Sequence, residues 1–354
     1  VNSRIDSGSG GFWQVFCTFI RLDLPNPPNP RSIFARLERN KLMLTIARTL
    51  TEATSATGEY RAGGTDVQER RNHGLSSGPL VDIRRLNGYD DIVWHEDGSA
   101  VLGALVTVDT LATDERLRAK YPGIAQAAGG LATPQIRWMS TLGGALLQRT
   151  RCPYFRHPAY SCLKSGGEGC PARDGQNPNG VVFDLGPCVY PHPSTLGMAL
   201  LAYEAEVEIN DSERRSISVL YGDGADGSRD HTLAAQEVLT RVYLPAPVDG
   251  ERTAYFRSIS RAEAEWPIVE CLARLVIEDG VITFARVGVG GVANIPLRLH
   301  NVEAALIGQP SSAQTLARAA SLAAEGTRPL AETAYKVDFL VGTVLDALER
   351  AVGR

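Results

Sequence analysis

Four cysteines, Cys152, Cys162, Cys170 and Cys188, fall within one short stretch of a 354-residue chain that carries six cysteines in all. In a chain this large, with enough apolar residues for a core, clustered thiols ligate a metal or a cluster more often than they pair as disulfides. The spacing, C-x9-C-x7-C-x17-C, lacks the close C-x2-C pairs of zinc sites and the tight runs of ferredoxins. Two readings stay open on the residues alone. Either each thiolate takes one corner of an iron–sulfur cluster held by long loops, or the four are reduced and unligated. Arg149, Arg151, Arg156, Lys164 and Arg173 surround the cysteines; such cations would favour thiolates and offset the negative charge of a thiolate-ligated cluster. Gly166, Gly167 and Gly169 would leave backbone amides free to donate to sulfur. Cys17 and Cys271 stand apart and read as buried apolar thiols.

Two glycine pairs offer a different chemistry. Arg61-Ala62-Gly63-Gly64-Thr65-Asp66 follows a strand-like segment, and Ser140-Thr141-Leu142-Gly143-Gly144 precedes an apolar one. Backbone N–H groups close around a diphosphate only where no side chain blocks the approach, which requires glycine. Each pair by itself also reads as an ordinary tight turn, and neither belongs to a G-x-G-x-x-G motif, so a Rossmann site is not supported. The six histidines are scattered, with His157 and His192 nearest the cysteines. No G-x-S-x-G or H-E-x-x-H motif is present. The want of any acid–base constellation fits electron transfer better than hydrolysis.

The rest of the chain must position these groups. A net charge of −4 argues against a nucleic-acid partner. No apolar run approaches the length of a membrane span, so membrane insertion is not expected. Apolar content of 44% and charged content of 21% suit a globular protein with room for two or three domains. Breakers such as Pro25-Asn26-Pro27-Pro28-Asn29-Pro30 mark residues 1–41 as a loosely ordered arm. A first domain spans 42–244, in subdomains of about 42–105 and 106–244, with the cysteine loop at 145–190. Pro245-Ala246-Pro247-Val248-Asp249-Gly250 is the clearest linker, and a C-terminal domain runs from 251 to 354. Helical spacing of Leu42, Ile46, Ala47 and Leu50 predicts a helix ending near Gly58. Further helices are expected at 111–120, 124–130, 194–203, 266–278, 311–325 and 335–352. Strands are expected at 60–62, 80–83, 100–104, 106–108, 204–210, 215–219, 239–244 and 281–289. The fold class is α+β, with an α/β-type first domain followed by a smaller α+β domain containing an antiparallel sheet.

Taken in order, Ala62-Gly63-Gly64-Thr65-Asp66, Pro134-Gln135-Ile136-Arg137, Thr141-Leu142-Gly143-Gly144 and His192-Pro193-Ser194 resemble the FAD-binding medium subunit of the molybdenum hydroxylases. That family includes xanthine dehydrogenase, carbon monoxide dehydrogenase and bacterial aldehyde oxidoreductases. Arg261, Gly290-Gly291-Val292-Ala293 and Pro296 resemble its C-terminal domain, and the likeness covers about residues 43–350. Arg149-Thr150-Arg151-Cys152-Pro153-Tyr154-Phe155-Arg156 is similar to the branch whose flavin subunit carries an additional [4Fe–4S] cluster.

The resemblance implies FAD at Arg61, Ala62, Gly63, Gly64, Thr65, Asp66, Ser140, Thr141, Gly143 and Gly144, with Thr195 at its ribose and Arg257 near the flavin, and a [4Fe–4S] cluster on Cys152, Cys162, Cys170 and Cys188. The chain departs from the family at three positions: Ala145 stands where Asn is usual, Thr195 where Asp is, and Arg257 where Lys is. The implied partners are a large molybdopterin-binding subunit, a small [2Fe–2S] subunit and an acceptor such as NAD, quinone or oxygen. The implied substrate is an aldehyde or an aromatic or N-heterocyclic compound, with no activity in this chain alone. The expected location is the cytoplasm, or the periplasm if a partner carries the export signal. Two competing functions are a self-sufficient FAD oxidase and a zinc-binding scaffold with a decayed flavin site.

Overall fold

The computed structural model describes residues 44–353. The expected N-terminal arm, Cys17 and the contribution of Leu42 to the first helical pattern lie outside the described residues. The described chain builds three sheets. The first is parallel, in the order β1 (Leu44–Ile46), β3 (Leu80–Asp82), β2 (Glu59–Arg61). The second has five antiparallel strands in the order β4 (Ile92–Trp94), β5 (Ala100–Gly103), β8 (Leu239–Leu244), β6 (Glu206–Ile209), β7 (Glu213–Ser216). The third is antiparallel, in the order β12 (Leu297–Arg298), β11 (Val281–Gly290), β10 (Val269–Glu278), β9 (Arg252–Ser258).

Parallel strands need a crossover between them. Between β1 and β2 this is the helix Leu50–Ser55, started by Thr49, whose hydroxyl accepts from the Glu52 amide while the Glu52 carboxylate accepts from the Arg48 amide. The helix expected from Leu42 is therefore corrected: Leu44–Ile46 is a strand and the helix begins only at Leu50. Residues 106–108 do not form a strand; Thr107 caps a helix, Val108–Thr113. A second cap, Asp114, splits the helix expected over 111–120 and starts Glu115–Lys120. The strand expected at 215–219 ends early, because Ser216 caps the helix Ile217–Tyr221.

The largest correction is at 266–278, expected as a helix and found as the ten-residue strand β10. Val269 to Val276 are buried without interruption. The helix Tyr335–Ala351 packs against this strand, as do the helices Thr195–Ala202 and Pro122–Gly129. A strand covered on both faces loses the alternation that would betray it, and its apolar run then reads equally well as a helix. Within it the buried Arg274 pairs with Glu251 at 2.6 Å and stacks over Tyr203.

Residues 145–190 hold little regular structure beyond the end of the helix Leu142–Leu146, one 3-10 turn (Leu163–Ser165) and one short helix (Pro171–Asp174). They have a small core of their own, built on Cys152, Phe155, Cys162, Ala172, Val181 and Val189. The far end of the segment is tied to the C-terminal part of the chain. Val182 and Phe183 donate to the Val292 carbonyl, the Thr333 hydroxyl donates to the Val181 carbonyl, and the buried Lys336 ammonium donates to the Gly180 and Gly291 carbonyls.

Candidate functional site

The two glycine turns come together. Ile83 donates to the Arg61 carbonyl at the end of β2, the chain turns through Gly63 and Gly64, and the Gly64 carbonyl then accepts from the Gln68 amide. Gly64 has φ +78, where a side chain is strained. The second turn is stitched along residues 104–108. Val108 donates to Ser140, Leu142 to Val106 and Gly143 to Ala104, at 2.8–2.9 Å. The Thr141 hydroxyl then caps the helix Leu142–Leu146 by accepting from the Gly144 amide. The turns touch at Gly63, where an added Cβ would lie 1.7 Å from the Met139 carbonyl oxygen.

Between them opens a cavity of about 430 Å³, a size typical of small-molecule sites. Ala62, Gly63, Gly64, Thr65 and Asp66 line one side, and Ser140, Thr141, Gly143 and Gly144 another. The residues fit a diphosphate, because the amides of Gly63, Gly64 and Thr65 meet no acceptor among the described residues. Arg149, read in the sequence only as a neighbour of the cysteines, also lines the cavity, as do Gln148, His231 and most of the segment from Leu233 to Leu239, which the sequence did not mark as site residues. That segment leads into β8 and reaches the cavity through tertiary packing, with no motif to mark it.

Three expected residues lie elsewhere. Arg61 is paired with Asp82 at 2.7 Å and is off the wall. Thr195 opens the helix Thr195–Ala202; it is 1% exposed and its hydroxyl faces Glu270 and Tyr255. Arg257 lies on β9, donates to the Glu263 and Glu265 carbonyls and sits opposite Glu270 of β10. Glu270 is buried and accepts from the Tyr255 hydroxyl at 2.8 Å. Burial pushes its pKa up to about 7, against the pull of Thr195, Tyr255 and Arg257. Thr195 and Arg257 thus share a second polar cluster and do not line the cavity.

Asp66 is on the wall, but its carboxylate is engaged. It pairs with Arg70 at 2.9 Å, Arg156 at 2.6 Å and Arg151 at 3.2 Å. Burial raises its pKa, but Arg151, Arg156 and Arg70 outweigh burial and hold it below the usual value. Arg151 and Arg156 flank Cys152, so this carboxylate joins the first glycine turn to the cysteine segment.

The four cysteines converge. Cys152, Cys162, Cys170 and Cys188 surround one narrow void together with Phe155, Lys164 and Ala172, and Cys152, Cys162 and Cys188 are buried. Among the described residues no three His, Cys, Asp or Glu side chains converge as ligands of a single metal ion. The surrounding cations are engaged by carboxylates: Arg149 and Lys164 share the single Asp230, Arg151 and Arg156 pair with Asp66, and Arg173 pairs with Asp184. Of these, Lys164 pulls the Cys188 thiol down, against burial. Burial pushes the Cys152 pKa up to about 11. Cys188 is raised by donating its proton towards Cys170 and by burial, and Cys170 is lowered by accepting it. The amides that reach sulfur come from Tyr154 and Phe155 to Cys152, from Ala172, Arg173 and Val189 to Cys170, and from Tyr190 to Cys188. The glycines serve otherwise: the Gly166 and Gly167 amides donate to the Leu163 and Cys162 carbonyls.

His192 is buried on Tyr221, with ring centroids 4.7 Å apart, and its Nδ1 accepts from the Ser194 amide. His157 packs on Tyr160. No helix among the described residues is long and apolar enough to cross a membrane.

Comparison with known proteins agrees with this geometry. Residues 41–247 match the FAD binding domain in molybdopterin dehydrogenase, and residues 254–351 match the CO dehydrogenase flavoprotein C-terminal domain. The chain is 32% identical to the aldehyde oxidoreductase FAD-binding subunit PaoB of Escherichia coli, over 76% of this chain and 86% of that one. It is 25% identical to the carbon monoxide dehydrogenase medium chain of Afipia carboxidovorans, over 78% of this chain and 80% of the other. In fold it matches a chain of carbon monoxide dehydrogenase from Hydrogenophaga pseudoflava with a TM-score of 0.69 at 20% identity, covering 88% of this chain and 97% of that chain. The chain belongs to the family of FAD-binding medium subunits of the molybdenum hydroxylases, and is an oxidoreductase subunit that binds FAD.

Proposed function

We propose that this chain is the electron-transfer subunit of a molybdenum hydroxylase and carries a [4Fe–4S] cluster beside its FAD. The observation that carries the reading is the pair of adjoining centres: a cavity between two glycine turns, and four thiols around one void. Arg149 on the cavity wall and Lys164 on the void share the Asp230 carboxylate. Residues 42–244 would form the FAD-binding domain and 251–354 the C-terminal domain. The FAD diphosphate would lie against Gly63, Gly64, Thr65, Ser140, Thr141, Gly143 and Gly144. Thr195 and Arg257, off the present wall, would meet the cofactor at the Glu270 cluster.

The donor set suits a group held at four corners rather than one ion. Four cysteines supply one sulfur each, and three of them already receive backbone amides. The space between the thiols is narrow, about 10 Å³, so the segment would spread around a cluster. Bound FAD supplies the redox chemistry, and the protein's part is binding, orientation and tuning. Electrons would come from a molybdopterin-binding large subunit through a [2Fe–2S] small subunit, and leave to NAD, quinone, oxygen or another carrier. The relative PaoB is by name a subunit of an aldehyde oxidoreductase, which favours an aldehyde over an aromatic or N-heterocyclic substrate. Iron, zinc and flavin analysis of anaerobically purified protein tests the reading. It expects flavin together with iron; stoichiometric zinc without iron would reject the cluster.

A further inference from the structure

The flavin cavity contains a cation that the two glycine turns do not account for. Arg149 lies on its wall. Its Nε donates to Asp230 at 2.6 Å, its Nη2 donates to the Lys164 carbonyl at 3.3 Å, and its guanidinium stacks over Phe155 at 4.9 Å. Fixed on these sides, the group keeps its Nη1 edge without an acceptor among the described residues, and the side chain is 28% exposed. A guanidinium locked by packing and a carboxylate, with one edge left free, is set up to donate to an anion.

The balance of charge points the same way. Asp230 is 5% exposed and accepts from both Arg149 and the Lys164 ammonium, the latter at 3.0 Å. One carboxylate between two cations leaves the trio with a surplus positive charge. His192 and His231 beside it are kept neutral by burial. The neighbouring arginines carry no such surplus: Arg70, Arg151 and Arg156 are matched by Glu59, Asp66 and Glu69. The anionic part of FAD is its diphosphate. We propose that Arg149 is a diphosphate-binding residue of the flavin site, and that Asp230 and Lys164 are its positioning residues. The inference rests on the flavin reading above. It also links the two centres, because Lys164 belongs to the cysteine segment and lines its void. If that segment loses its order, Lys164 leaves Asp230. Arg149 then forms a neutral pair and holds phosphate less well.

The test titrates the full chain, stripped of flavin, with FAD, with ADP and with riboflavin, which carries no phosphate. Arg149→Gln should weaken FAD and ADP about tenfold to a hundredfold, the range for losing a charge-assisted hydrogen bond, and should leave riboflavin unchanged. Arg149→Lys should recover part of the loss. Lys164→Met should weaken FAD and ADP about twofold to fivefold. The salt dependence of ADP binding should flatten in Arg149→Gln, because a screened contact has been removed. Wild-type ADP affinity in Arg149→Gln, or an equal loss of riboflavin, would overturn the assignment. Wild-type protein that binds no FAD would instead overturn the flavin reading, a failure visible before any variant is made.

Discussion

Gly63→Ala isolates the role of the glycine turns. The new Cβ would lie 1.7 Å from the Met139 carbonyl oxygen and 3.0 Å from the Ser140 Cα. Real Cβ atoms essentially never come within 3.0 Å of another group, and here the obstacle is backbone rather than a flexible side-chain end. The two turns would have to part by about 1 Å or more, at the cost typical of overpacking, about 2–3 kcal/mol. Gly64→Ala is the contrasting case. Its φ of +78 carries a strain of about 1 kcal/mol, but its Cβ meets only the Arg61 side chain, at 3.1 Å, which can move aside. Gly63→Ala should therefore lose more stability and more flavin than Gly64→Ala, while the bulkier Gly64→Val should abolish FAD binding by filling the diphosphate space. Thermal unfolding with and without added FAD, together with flavin occupancy, measures both. For a chain of this size 2–3 kcal/mol corresponds to a fall of several degrees in Tm. Wild-type occupancy and Tm in Gly63→Ala, or a larger loss in Gly64→Ala, would refute the argument that backbone contact between the turns shapes the cavity.

Cys162→Ser should lose most of the bound iron and expose residues 145–190 to protease, measured by iron content and limited proteolysis; unchanged iron would remove Cys162 as a ligand. Glu270 has its pKa raised to about 7, so the unfolded chain ionises first and stability is lost as pH rises from about 4.5 to 7. Glu270→Gln should therefore gain stability relative to wild type across that window, by up to about 3 kcal/mol at its top, as read from Tm against pH. Asp230 is held down to about 2, burial being outweighed by Lys164 and Arg149. The stability it contributes is present above its unfolded value of 3.8 and lost as pH falls towards 2; Asp230→Asn should flatten that acid limb of the unfolding curve. His192 and His231 are lowered to about 4 by burial, so stability should also fall as pH drops from 6.5 towards 4, less so in His231→Gln.

The convergence of the candidate residues was legible where residue type and backbone geometry coincide. Only glycine allows the approach of Gly63 to Met139, so the two glycine pairs stood out in the sequence and do form one cavity. The four cysteines stood out by density, and they do surround one void. What sequence could not give was partnership across long separations. Arg149 finds Asp230 81 positions away, and Arg156 finds Asp66 90 positions away. Read locally, those arginines looked like counter-ions for sulfur; read in space, they serve carboxylates. The helix expected at 266–278 failed for a related reason. Burial on both faces of β10 erased its period-2 pattern, and that burial comes from the distant helices Tyr335–Ala351 and Thr195–Ala202.

The central claim is that FAD occupies the cavity between the two glycine turns. Amide hydrogen exchange on the flavin-stripped chain, before and after one equivalent of FAD, tests it directly. The account predicts slowed exchange at residues 63–66 and 140–144, together with the segment from Leu233 to Leu239 that closes the cavity. Stoichiometric FAD binding with unchanged exchange at both turns would contradict it.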